Sequence, residues 1–318
     1  VFAQTMVQLA RKEPRLVVVT PAMPEGNCLN IFEAEFPDRI FDVGICEQHA
    51  VTFAAGMAAQ GLIPVVAIYS TFLQRSFDQI IHDVCLQNLP VVFAVDRGGI
   101  VGDDGKTHQG IFDISYLSLI PNLIVAAPKD ENELQHLLFT AMKAGRPMAV
   151  RYPRSAGLGV DLDTEYWVIP VGQPELLRNG KDAAIFALGS MVAPSIEAAE
   201  LLAAEGIDAS VINVRYAKPL NSGLLDFIPD GAKTIITVEE NVVTGGFGSS
   251  LNTLIQESGR CDIRIRNLGV ADEFVEHGTQ AILRARYGLD VKGIVRNVKE
   301  LVPDMVPDSG IERKAGSL

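Results

Sequence analysis

Glu47 is the first residue whose surroundings suggest chemistry. It lies in Phe41-Asp42-Val43-Gly44-Ile45-Cys46-Glu47-Gln48-His49-Ala50, and no charged residue follows from Ala50 to Gln74. A lone carboxylate entering such an apolar run is poorly solvated, which favours its protonated form and suits it to proton exchange. A first-turn glutamate that only complements the helix dipole is the plainer alternative and stays open on position alone. Three further segments add candidates. Tyr69-Ser70-Thr71-Phe72-Leu73-Gln74-Arg75 leaves the uncharged run with Tyr69 and Arg75 as polar groups and Phe72 as an aromatic wall; singly, Phe72 also fits a core and Arg75 a surface. Asp96 to Gly110 puts five glycines, three aspartates and one histidine into fifteen residues, too long and polar for a mere connector. In it His108, beside Asp104, suits acid/base work or hydroxyl binding, although a solvated loop histidine reads the same way. Val150-Arg151-Tyr152-Pro153-Arg154 closes a strand, so Arg75, Arg97 and Arg154 are expected at strand ends on one edge, where guanidinium groups suit phosphate.

These residues need a scaffold, and the hydrophobic periods supply one. Short apolar strands (16–19, 41–45, 63–69, 91–95, 123–126, 148–150) alternate with helices (1–10, 28–36, from 47, 72–87, 112–119, 130–144), the pattern of a mostly parallel sheet covered on both faces. Between Arg151 and Lys181 prolines and glycines accumulate and the alternation stops. It restarts with strands 183–188, 208–214, 234–238 and 263–268 and helices 193–205, 247–258, 279–287 and 291–301. The expected architecture is therefore two three-layer α/β domains, 1–165 and 166–318, with a polar, mobile tail from Pro303 to Leu318. Gly245-Gly246-Phe247-Gly248-Ser249-Ser250 opens a helix that suits an anion or simply an ordinary helix entry.

With 318 residues the chain is long enough for two cores, and its net charge of −12 argues against nucleic acid or an anionic membrane as partner. The apolar run from Ala50 to Leu73 is interrupted by Gly56, Gln60, Gly61 and Pro64, so it reads as a buried helix and strand rather than a membrane span. Cys28, Cys46, Cys85 and Cys261 show no metal-ligand spacing, so no metal ligand is expected, and they read as reduced thiols in a cytoplasmic or plastid-type compartment. Val1 falls inside an amphipathic helix and no signal peptide is visible, so a truncation, a proteolytic product or one half of a larger polypeptide is expected.

At these same segments, together with Ala22-Met23-Pro24-Glu25-Gly26, Asp104-Gly105-Lys106-Thr107-His108-Gln109-Gly110 and Glu276-His277-Gly278, the chain resembles the 1-deoxy-D-xylulose-5-phosphate synthases, thiamine diphosphate enzymes of the transketolase superfamily. The resemblance covers nearly the whole chain but only the C-terminal half of that family's length. It implies a thiamine pyrimidine-binding domain followed by a transketolase C-terminal-like domain. Glu47 would hydrogen-bond the aminopyrimidine, Phe72 would stack on it, and Tyr69 would lie nearby. Tyr69, Arg75, Arg97 and Arg154 would surround the acceptor's phosphate, while Asp104 and His108 would contact substrate hydroxyls and assist proton transfer. The reaction implied joins pyruvate, with loss of carbon dioxide, to D-glyceraldehyde 3-phosphate, toward isoprenoid, thiamine and pyridoxal biosynthesis. Magnesium and the diphosphate need a Gly-Asp-Gly segment followed by Asn. Gly102-Asp103-Asp104-Gly105 departs from it, so both are assigned to an N-terminal half, and this chain alone is expected to be inactive. A homodimer is expected. A 2-oxo acid dehydrogenase beta chain, a split-transketolase half and a non-catalytic dimerisation module are the competing readings.

Overall fold

Near-continuous Val, Ile and Ala runs form the strands of the computed structural model, which describes residues 1–260 and 262–302. Strands β1 (Leu16–Thr20), β2 (Ile40–Asp42), β3 (Ile63–Tyr69), β4 (Val92–Asp96), β5 (Ile124–Ala126) and β6 (Met148–Arg151) belong to the first sheet. Strands β7 (Glu175–Arg178), β8 (Ala183–Ala187), β9 (Ala209–Asn213), β11 (Thr234–Val242) and β12 (Arg264–Val270) form the second, and β10 (Tyr216–Lys218) crosses back to the first. The orders are β10-β5-β6-β4-β3-β1-β2 and β12-β11-β8-β9-β7. All pairings are parallel except those of the edge strands β10 and β7.

Burial on both faces explains why the strands lack polar alternation: every residue of β1 and β3 is buried. Odd and even positions divide between two layers. Val18, Val65, Ala67, Val92 and Ala94 pack toward helices Phe2–Lys12 and Glu131–Lys143. Val19, Val66, Ile68, Phe93 and Val95 pack on the other face with helix Glu47–Ala59 and with Phe186, Ile212, Phe247 and Leu251 of the second domain. The two domains therefore share a core. The far face of the second sheet packs on helices Val192–Ala204 and Val291–Leu301. Asp130 starts helix Glu131–Lys143 by accepting the Glu133 N–H at 2.7 Å, and Asp290 starts the last helix in the same way.

The structure differs from the expected elements in several places. The helix expected over 72–87 is a succession of short pieces, Ser70–Leu73, Gln74–Ser76, Phe77–Gln79 and a π-helical turn Ile80–Cys85, which sets Asp83 on Thr52 of the Glu47 helix. Helix 28–36 shortens to Asn30–Glu35, because Cys28 takes a left-handed φ of 55° that a helix cannot continue. Neither β7 nor β10 is expected from periodicity. β10 forms where Arg215, at φ 60°, turns the chain so that Tyr216 pairs with Ala126 and is fully buried. No helix among the described residues is long and apolar enough to cross a membrane. The tail 303–318 and Cys261 lie outside the described residues.

Candidate active site

Parallel strands carry their loops to one sheet edge, and the expected residues lie on the segments that leave β2, β3, β4 and β6 there. Asp42 shapes the first of these loops: its Oδ1 accepts the N–H groups of Ala22 (2.8 Å) and Gly44 (2.9 Å), tying the loop after β1 to the turn before Glu47. Gly44 takes a φ of 68°, suited to a residue without a Cβ. Glu47 then opens its helix with a side chain 3% exposed. Its Oε2 is buried and accepts no hydrogen bond, although Arg75 Nε lies 3.0 Å away, close enough for charge attraction but off the hydrogen-bond direction. The surroundings are thus not wholly apolar, because the chain folds Arg75 back onto the carboxylate from beyond the uncharged run.

Phe72 stands between Tyr69, stacked at 5.9 Å between centroids, and His108, edge-on at 5.5 Å. His108 Nδ1 is 2.9 Å from the Thr107 hydroxyl, and the Thr107 carbonyl accepts the Thr71 hydroxyl at 2.9 Å, so the loop is pinned over the segment after β3. A cavity of about 530 Å³ opens here, lined by Thr71, Phe72, Arg75, Lys106, Phe112 and the exposed Phe274.

Asp104 sits between two guanidinium groups. One carboxylate oxygen pairs with Arg97 and the other lies 3.2 Å from Arg154 Nη1. The Arg97 guanidinium also covers the Tyr69 ring at 3.9 Å, a favourable cation–π position. Arg97 has a left-handed φ of 58°, held in part by its own N–H donating to Asp96 Oδ1 at 2.6 Å. Burial pushes the Asp96 carboxyl up to about 6, against the opposing pull of that N–H and of the Arg97 and Arg154 charges. Burial likewise raises the Tyr69 hydroxyl. That hydroxyl rests on Gly26, where a Cβ would come within 1.7 Å of it. A second cleft, about 810 Å³, is lined by Asn27, Cys28, Asp96, Tyr152, Arg154 and Arg284. Tyr152 is buried there with an unpartnered hydroxyl.

The structure therefore brings Tyr69, Arg97, Asp104 and Arg154 into one contact group and Phe72 with His108 into an adjoining one. Arg75, expected with the other arginines, is paired with Glu47 instead. Asp104 gives both oxygens to arginines rather than pairing with His108. Several supporting residues escape a reading by period alone. Arg151, 3% exposed, binds Asp113 at 3.0 Å and donates to the carbonyls of Gly110 and Glu240, joining loop and second domain. Glu240 in turn accepts Arg284 Nε at 2.7 Å and the Ser190 hydroxyl at 2.6 Å. A signal exists in the sequence: Arg151, Glu239 and Glu240 are charges inside strand runs buried on both faces, where only paired groups persist. Glu239 accepts the N–H groups of Phe247 and Gly248, both at 2.9 Å, so the Gly245–Ser250 helix start is already occupied by an internal carboxyl group.

Comparison with known proteins agrees with this architecture. Residues 1–158 match the transketolase pyrimidine binding domain and residues 172–294 the transketolase C-terminal domain. The chain is 59% identical over 303 residues to a 1-deoxy-D-xylulose-5-phosphate synthase of Dehalococcoides mccartyi, covering 95% of this chain and 48% of that protein. It is 56% identical to the Syntrophus aciditrophicus protein of the same name, over 95% of this chain and 46% of the other. The chain thus spans about half the length of the curated relatives it matches. Among solved structures, a split gene transketolase, described as an inactive beta4 tetramer, superposes with a TM-score of 0.83 at 29% identity, over 95% of this chain and 96% of the other. A transketolase from Leishmania mexicana shares the fold, with a TM-score of 0.76 at 20% identity over 96% of this chain and 46% of that one. With both domain models matched in order and covering most of its length, the chain belongs to the transketolase family as its pyrimidine-binding domain followed by its C-terminal domain.

Proposed function

We propose that this chain supplies the pyrimidine-binding unit (1–165) and the C-terminal unit (166–318) of a 1-deoxy-D-xylulose-5-phosphate synthase, a transferase joining pyruvate, with loss of carbon dioxide, to D-glyceraldehyde 3-phosphate. The observation that carries the reading is Glu47: a buried carboxylate oxygen without a hydrogen-bond partner, at a helix start and in contact with Arg75, which lines an aromatic-walled cavity. The Arg75 charge offsets part of the cost of burying this oxygen, and the hydrogen-bond direction left open is one that a ring N–H would fill. The residues therefore fit thiamine diphosphate, which when bound supplies a thiazolium carbanion as nucleophile and an electron sink for decarboxylation.

The chain's own residues then have defined tasks. Glu47 Oε2 would share a proton with the aminopyrimidine ring, with Arg75 orienting that carboxylate. Phe72, backed by Tyr69, would stack on the pyrimidine. Arg97 and Arg154 take the acceptor's phosphate, since two guanidiniums already aligned on one carboxylate present the donor geometry a phosphate needs. Asp104, held by those two guanidiniums, and His108, on the same loop against Phe72, are assigned to contact acceptor hydroxyls and move a proton. The diphosphate and magnesium are assigned to an N-terminal half, in a cytoplasmic homodimer with no nucleic-acid or membrane partner. The split gene relative, inactive as a beta tetramer, supports the need for a second half.

The test is Glu47→Ala beside Glu47→Gln in the complete enzyme. Decarboxylation of pyruvate should fall by roughly 10²–10⁴-fold, the usual worth of a positioned proton-transfer group, while cofactor binding measured by titration changes far less. Unchanged turnover removes Glu47 from the mechanism.

A further inference from the structure

We propose that Gln280, in the second domain, is a positioning residue for the phosphate-binding arginines of the first, an inference resting on the function just given. Its side-chain Nε2 donates to the carbonyl of Ile100 at 2.7 Å and to that of Arg154 at 2.8 Å. One amide, with both its hydrogens used, thus joins the loop after β4 to the segment after β6. Those two stretches carry Arg97 and Arg154, whose guanidinium groups meet at Asp104. Beyond Gly98 and Tyr152, whose backbones still pair at 2.9 Å, neither stretch has regular structure of its own: the loop has a single bridge, Gly99 to Gly110, and β6 ends at Arg151.

Three observations show that the second domain holds the loop, in addition to the Thr71 contact. Ile100 and Ile111 are fully buried in the second domain's core, together with Leu283 from the helix that Gln280 begins. A Cβ on Gly102 would lie 3.1 Å from the Gly278 carbonyl and 3.2 Å from the Gln280 nitrogen, so the two backbones are in direct contact. Glu276 adds an ion pair with Lys106 at 2.7 Å and accepts Gln109 Nε2 on its carbonyl at 3.3 Å. Among these contacts Gln280 is distinctive, because it alone touches both arginine-bearing segments. Losing its two donors strands two carbonyls and leaves the segments joined only near their starts, by the Gly98 N–H on the Tyr152 carbonyl at 2.9 Å.

The decisive variant is Gln280→Glu, equal in size but without the donors, with Gln280→Lys restoring a donor. Hydrogen exchange on the full chain should show residues 98–110 and 152–158 opening roughly tenfold faster in Gln280→Glu, with β1, β3 and β8 unchanged and Gln280→Lys partly restored. In the complete enzyme the KM for glyceraldehyde 3-phosphate should rise about tenfold, while kcat and the KM for pyruvate hold. Wild-type exchange in Gln280→Glu overturns the proposal, as does faster exchange spread evenly over the second domain, or an unchanged acceptor KM. The exchange arm needs no turnover, so it fails separately from the phosphate assignment, which Arg154→Ala tests.

Discussion

Replacing Arg154 by Ala gives the most direct reading of the acceptor site. The side chain is 44% exposed and its Nη1 lies 3.2 Å from Asp104, whereas Arg97 is 19% exposed and pairs with the other oxygen of the same carboxylate. A charge-assisted hydrogen bond contributes about 1.5–3 kcal/mol, and partial exposure puts Arg154 at or below the low end of that range. Two such bonds to a phosphate then amount to roughly 2–3 kcal/mol, or about 30- to 150-fold, since each 1.4 kcal/mol is tenfold. The substitution also leaves Asp104 on Arg97 alone, so the remaining guanidinium is further drawn away from a phosphate. The assay is steady-state carbon dioxide release by the complete enzyme, varying pyruvate, glyceraldehyde 3-phosphate and unphosphorylated glyceraldehyde in turn. The expected result is that kcat/KM for the phosphorylated acceptor falls by that factor, while the unphosphorylated acceptor and the KM for pyruvate are affected severalfold at most. Equal losses for both acceptors refute the phosphate assignment.

Two further substitutions test the surrounding frame. Arg151→Met leaves Asp113, side chain 0% exposed, without its partner, and breaking a buried pair from one side costs about 3–5 kcal/mol; thermal unfolding should come on the order of 10 °C earlier. Adding Asp113→Leu should recover much of that loss, and a single variant as stable as the parent refutes the role given to the pair. Asp96 has a folded-state value raised to about 6 by burial, above the ordinary carboxylate value near 4. Its stabilising contribution is therefore present below about pH 4 and lost as pH rises through about 6. Asp96→Asn keeps an acceptor for the Arg97 N–H and should flatten that part of the stability profile; a constant wild-type-minus-variant difference across pH 4–7 in urea unfolding counts against it.

The sequence alone determined the local elements and the presence of the chemical groups. The uncharged run from Ala50 to Gln74 can only be a buried helix and strand, because its period shifts at Leu62 and no charge needs solvent; both are found, in Glu47–Ala59 and Ile63–Tyr69. Glu47 at the helix start and Arg154 just past a strand end were likewise legible, since strand ends follow from hydrophobic runs and breakers. What the tertiary structure decided is which group meets which. Arg75 lies near Glu47 because the segment after β3 breaks into short turns instead of one helix. Asp104 bridges Arg97 and Arg154 because β4 and β6 are neighbours in the sheet, although they are separate in sequence. Gln280 reaches Ile100 across 180 residues because the second domain shares its core with the first. Periodicity reports only the face a residue turns to, and a face does not name its partner. The docking of two sheets does, by fixing which loop each side chain finds at its end.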